Sequence, residues 1–164
     1  MAKRFNLRAF QQDVLDRLQQ QAATGDRITT LGLQVGNQRM LVDMADISEV
    51  LELPQLTVVP LTKSWYRGVA NVRGNIYGVV DMAAYLNQGE TVQDANNRVL
   101  LLGQKFAFNA GLLVNRVLGL RNASGWQSSE QDGVVHYQDA EGQSWLKLDI
   151  KQLLQQPEFL QIGA

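Results

Sequence analysis

The stretch "SEVLEL", Ser48 to Leu53, returns as "NRVLGL", Asn115 to Leu120, at an offset of 67 residues (Val117 minus Val50). "DMAAYL", Asp81 to Leu86, returns as "DIKQLL", Asp149 to Leu154, at an offset of 68 (Asp149 minus Asp81). Two motifs carried over nearly the same interval mark one unit used twice. The texture of that unit is β. From Thr29 onward, short apolar runs are broken by Gly, Asn, Asp and Pro. "TTLGLQV-GNQ-RMLVDM" reads as two strands about a Gly-Asn turn. "ISEVLELPQLTVVPL" reads as extended, with Pro54 and Pro60 limiting what lies inside a sheet. "RVLLLGQKFAFNAGLLVNRVLGL" supplies further strands, and "RNASGWQSSEQDG" reads as a polar, mobile loop. The expected fold is therefore mainly β, built as two small barrels or strongly curled sheets, because closure removes the exposed edges of short strands. Units this small are marginal singly, so they are expected to pack together and leave a groove between them, a common place for binding.

In both copies of the second motif an Asp follows an apolar strand, with apolar residues one, four and five positions later. Asp81 and Asp149 are thus predicted N-caps of short helices. Ahead of the β region, Leu7, Phe10, Val14 and Leu18 form one apolar stripe on an amphipathic helix, with Gly25 placed to stop it. The expected organisation is a helical extension over 1–27, a body over 28–157 in two interlocked subdomains (about 28–95 and 96–157), and a tail over 158–164.

The 164 residues carry 15 basic and 16 acidic side chains, so the basic footprint of a general nucleic-acid binder is missing. With no cysteine there is neither a disulfide nor a thiolate metal site. The N-terminus has no signal-peptide core, and no apolar run approaches the roughly 20 residues that cross a bilayer, so the expected location is cytoplasmic. The lone histidine, His136, lies in a Gly-rich stretch and has no nucleophile motif to serve. Asp43, Asp46 and Glu49 recur every third residue but lack the glycine-turned loop of a calcium site, and they read as solvated surface. No catalytic residue, metal or cofactor is expected.

"GVANV-RGN-IYGVV" reads as strand, three-residue turn and strand, with Gly74 suited to the left-handed turn position. Val69, Asn71 and Arg73 would share one face, so that Asn71 and Arg73 project together at the hairpin's end.

The wider stretch "LTVVPLTKSWYRGVANVRGNIYGVVDMAAYL", Leu56 to Leu86, resembles the signature of the chemotaxis coupling protein (CheW) family. The signature is carried by Pro60, Trp65, Arg67, Gly68, Val69, Asn71, Val72, Arg73, Gly74, Val80, Asp81 and Met82. The resemblance runs from about Thr29 to Leu154. Gly78 stands where the family usually has Pro, and Asn115 where an acidic residue is frequent. The N-terminal extension and spacing resemble the type IV pilus and twitching-motility branch more than the flagellar one.

The resemblance implies two SH3-like five-stranded β-barrels and a non-enzymatic adaptor. Its implied partners are the cytoplasmic tip of a methyl-accepting chemoreceptor and the regulatory domain of a CheA-type histidine kinase. Receptor-binding positions carry over to Ile47, Glu49, Asn71, Arg73 and Val114, and kinase-binding positions to Leu56 and Val58. Gly68, Gly74, Asp81 and Asp149 are structural. Glu49 and Arg73 are expected to pair and shape the groove, while Ile47 and Val114 supply apolar contact. Competing readings are a flagellar coupling protein, a small-molecule-binding barrel, an oligonucleotide-binding barrel and an enzyme.

Overall fold

A computed structural model describes Gln11 and residues 29–163. Eleven strands are present in it: β1 (Thr30–Val35), β2 (Gln38–Asp43), β3 (Ile47–Glu52), β4 (Tyr66–Val72), β5 (Asn75–Asp81), β6 (Arg98–Leu102), β7 (Ala110–Val114), β8 (Arg116–Arg121), β9 (Gln127–Gln131), β10 (Val134–Gln138) and β11 (Ser144–Lys147). Short helices span Met82–Tyr85, Ile150–Gln155 and Pro157–Leu160. The amphipathic N-terminal helix expected from Leu7, Phe10, Val14 and Leu18 lies outside the described residues.

The strands form a five-stranded sheet ordered β3-β6-β7-β5-β4 and a six-stranded sheet ordered β8-β1-β2-β11-β10-β9. The two orders correspond position by position. In each, an antiparallel hairpin (β6-β7 or β1-β2) lies between an edge strand and a strand that joins it in parallel (β5 on β7, β11 on β2). A short helix follows each parallel strand, begun by Asp81 or Asp149, whose carboxylate accepts from the amide of Ala84 or Gln152. The sequence repeat is therefore a repeat of sheet position. β3 and β8, which carry "SEVLEL" and "NRVLGL", are the equivalent edges.

Sheet membership runs across the expected division near residue 95. β3 to β7 make one sheet, whereas β1 and β2 join β8 to β11 in the other. The chain starts one sheet, builds the other completely, and returns. The sixth strand, β9, lies in the stretch expected to be a mobile loop. All five of its residues are exposed. Apolar burial does not hold it there. Full pairing with β10 does, across a two-residue turn at Asp132 and Gly133, both with positive φ (52° and 78°).

The continuous apolar runs of β6 and β7 follow from burial on both faces. Leu100, Leu102, Ala110, Leu112 and Val114 join the main core between the sheets, together with Leu31, Leu33, Val35 and Val42 from the six-stranded sheet. On the opposite face Val99, Leu101 and Leu113 pack with Ala70 and Val79 inside the curled five-stranded sheet. β1 is built alike: Leu31, Leu33 and Val35 face the shared core, and Gly32 lies against Trp145, 3.1 Å from the position its Cβ would take.

The five-stranded sheet closes on itself through the chain after β3. Thr57 exchanges two backbone hydrogen bonds with Val69 of β4, at 2.8 and 2.9 Å. Gly68 permits that approach, since a Cβ there would stand 2.3 Å from the Thr57 carbonyl oxygen, and its φ is 129°. The segment set apart as a tail from residue 158 is packed as far as it is described. Phe159 is buried and stacks on Trp65, Lys63 donates its amide to the Ile162 carbonyl, and Thr62 pairs with Gly163. Among the described residues no helix is long and apolar enough to cross a membrane.

Candidate functional site

The β4–β5 hairpin differs from its expected form by one residue. Val72 pairs with Asn75, so the turn is the two residues Arg73 and Gly74, with φ of 51° and 86°. Positive φ at both central positions is the turn whose twist matches the strands. Asn71 supports it by accepting the Gly74 amide at 2.9 Å. Arg73 therefore does not share the strand face of Val69 and Asn71. It stands in the turn, free to reach sideways.

It reaches Glu49. The guanidinium donates from Nη1 to Oε1 at 2.9 Å and from Nη2 to Oε2, a bidentate pair. Glu49 stands on β3, at the far edge of the sheet from β4, so the pair bridges the mouth of the curled sheet. The Glu49 hydrogen bonds and charge push Arg73 above the ordinary arginine value. The carboxylate is 18% exposed and the guanidinium side chain 58%, so half of the pair remains open to an incoming group.

A bulge in β3 separates two residues expected to act together. Ile47 lies opposite Leu102, but Glu49 lies opposite Leu101, with Ser48 bulged between them and donating to both leucine carbonyls. In a regular strand Ile47 and Glu49 would share a face. Here Ile47 turns into the shared core at 2% exposure while Glu49 turns to the sheet's other face. Val114 is fully buried in the same core. The apolar contact assigned to Ile47 and Val114 has no surface behind it in this conformation; both support the site from beneath. Of the two residues assigned to the kinase, Leu56 packs inside the five-stranded sheet, whereas Val58 is 76% exposed.

Asp43, Asp46 and Glu49, read from the sequence as solvated surface, each hold a different base. Asp43 pairs with Lys147, Asp46 with Lys105 at 2.6 Å, and Glu49 with Arg73. They flank the passage from β2 to β3, where the chain leaves one sheet for the other. Among the described residues there is no cluster of three metal-ligating side chains.

Asp81 does more than cap. It is fully buried and accepts from the Thr91 amide at 2.8 Å, the Thr91 hydroxyl at 2.6 Å, the Ala84 amide at 3.3 Å and Arg67 Nη1 at 3.2 Å. A second bulge, between Tyr66 and Gly68, displaces Arg67 from the ladder. Asn115, at the position where an acid is frequent, accepts the Gly36 amide at 2.7 Å and so fastens the β1–β2 turn. An amide oxygen suffices for that bond.

A family model for the CheW-like domain matches residues 29–158. The chain belongs to the CheW-like family. Protein PilI of Pseudomonas aeruginosa is 30% identical over 146 residues, covering 82% of this chain and 79% of that protein. Chemotaxis protein CheW of Thermotoga maritima is 26% identical over 136 residues, 77% of this chain and 87% of its own. FrzA of Myxococcus xanthus is 35% identical over 88 residues, 54% of each. The scaffolding protein TtCheW from Thermoanaerobacter tengcongensis superposes with a TM-score of 0.67 at 17% identity, covering 80% of this chain and 95% of that one. The CheW-like, SH3-related β fold agrees with the resemblance read from Leu56 to Leu86. Within it, the two-residue turn and the β3 bulge create the Arg73–Glu49 bridge. Neither irregularity is visible in the signature's spacing.

Proposed function

We propose that this CheW-like chain is a non-enzymatic adaptor. It couples the cytoplasmic tip of a methyl-accepting chemoreceptor to the regulatory domain of a CheA-type histidine kinase, in an array that controls type IV pilus twitching. The carrying observation is the bidentate Arg73–Glu49 bridge at the hairpin tip, half open on the Arg73 side. A guanidinium already oriented by one carboxylate keeps N–H donors for a second acceptor, such as a carboxylate or carboxamide on a receptor helix. Asn71, beside it, is exposed and has its oxygen committed to the turn, which leaves its NH2 as the group that can donate. Exposed Val58 offers an apolar contact for the kinase on the neighbouring loop. The likeness to PilI, at 30% identity over most of both chains, supports the pilus branch and a cytoplasmic place beneath membrane-anchored receptors.

Co-purification from the native cell is the direct test: a receptor and a large histidine kinase are expected to come down with the chain. With purified components, Arg73→Ala should weaken capture of a receptor-tip helical hairpin about tenfold, because charge-assisted hydrogen bonds to the receptor are lost, whereas Lys63→Ala should leave it near wild type. Equal capture by the two variants would remove Arg73 from the receptor site.

A further inference from the structure

We propose that a pocket over Gly78 receives one side chain of the partner helix, a chain with an apolar stem and a hydrogen-bond acceptor at its end. The proposal rests on the receptor-coupling function above.

On β4 and β5 the pairs Asn71–Ile76 and Val69–Gly78 share the face that carries Val80 into the core between the sheets. Toward the turn this face leaves the core: Val80 is 3% exposed and Ile76 52%. One strip of surface thus leads from the hairpin turn past Asn71 and Ile76 to Gly78. There it meets a cavity of about 150 Å³ walled by Tyr66, Phe108, Asn109, Leu160 and Ile162. A cavity of this size suits a single inserted side chain.

A Cβ on residue 78 would stand 2.6 Å from the Tyr66 hydroxyl oxygen, so the phenol occupies the place that a side chain would take. That hydroxyl makes no hydrogen bond to the described residues, and burial raises its pKa, so it stays protonated as a donor. A purely aliphatic occupant would strand it, and a short polar one would leave the apolar walls wet. An acceptor-tipped stem such as glutamine or glutamate satisfies both. From Gly78 to Gly74 is about 13 Å at 3.3 Å per strand residue, and about nine residues of a helix cover it at 1.5 Å each. The inserted residue and the one over the hairpin turn are thus between two and three helical turns apart along the partner helix, at about 5.4 Å per turn.

The chain has no cysteine, so Leu160→Cys, at a position 51% exposed on the pocket's rim, can carry a polarity-sensitive bimane label without interference. The probe is a receptor-tip helical hairpin titrated against the full chain. Binding should shift the label to the blue, and Tyr66→Phe should weaken affinity about three- to tenfold, one neutral hydrogen bond. Gly78→Ala should weaken it further, and Tyr66→Phe, which keeps the ring, serves if Gly78→Ala fails to fold. If the hairpin binds, with an Arg73→Ala defect, but the label stays silent and Tyr66→Phe binds as wild type, the pocket is overturned and the coupling function stands. If the hairpin does not bind wild-type protein at all, both fall.

Discussion

At the residue scale, the Arg73–Glu49 bridge is worth more to recognition than to folding. Its guanidinium is more than half exposed, and exposed ion pairs add little to stability because solvent screens them. A double-mutant cycle on Arg73→Ala and Glu49→Gln, read by urea denaturation, should give a coupling barely above error; a coupling as large as that of a buried pair would make the bridge a structural element instead. Asp81 is the opposite case. Its buried carboxylate has four donors, one of them cationic, so Asp81→Ala should cost about 3 kcal/mol, against about 1 kcal/mol for the simple cap lost in Asp149→Ala. Equal midpoints for the two variants would reduce Asp81 to a cap. Asp139 gives a pH dependence. It accepts the Trp145 indole N–H at 3.0 Å and the amides of Glu141 and Gln143, and the Trp145 bond foremost holds its pKa below the ordinary carboxylate value of 3.8. The unfolded chain therefore binds the proton first as pH falls. Asp139's contribution is complete above 3.8 and disappears as pH drops through the lower folded value. Asp139→Asn should flatten the acid limb of a stability–pH curve, and parallel limbs would contradict the assignment.

At the element scale, irregularities do what the strand pattern cannot. The bulge at Ser48 turns Glu49 away from Ile47, and the bulge before Gly68 frees Arg67 to meet Asp81. Closure of the five-stranded sheet depends on Gly68 letting the Thr57 carbonyl approach to a distance no side chain allows. Gly68→Ala should separate Thr57 from β4 and release the loop that bears Val58. Faster amide exchange at Thr57 and Val69 would report it, and unchanged protection at both would refute it. These features were legible only in part. "RGN" announced a turn, yet a two-residue and a three-residue turn share that composition, and only the Val72–Asn75 pairing separates them. β9 gave no apolar signal because its place depends on backbone bonds to β10.

At the scale of the whole molecule, the two sheets are not independent barrels. Each supplies residues to one shared core, and the first hairpin of the chain completes the sheet built last. Unfolding should therefore be one cooperative transition, with tryptophan fluorescence and far-ultraviolet dichroism coincident in urea. A fragment of residues 28–95 lacks β6 and β7, the central strands of its own sheet, and should show no cooperative transition. Two separated transitions in the intact chain would mean that the sheets fold as separate units.

The amino-acid sequence by itself determined what local interactions govern: the β texture, the repeat, the Asp81 and Asp149 caps, the turn chemistry and the signature that places the chain in its family. The caps and the turn depend on residues within a few positions of one another, and the repeat and the signature are patterns along the chain that need no contact in space to be read. Tertiary structure decided which hairpin enters which sheet, that Ile47 and Val114 are interior, and that Arg73 finds Glu49. The reason is that strand pairing and side-chain facing are set between distant segments, where a single bulged residue exchanges inside for outside.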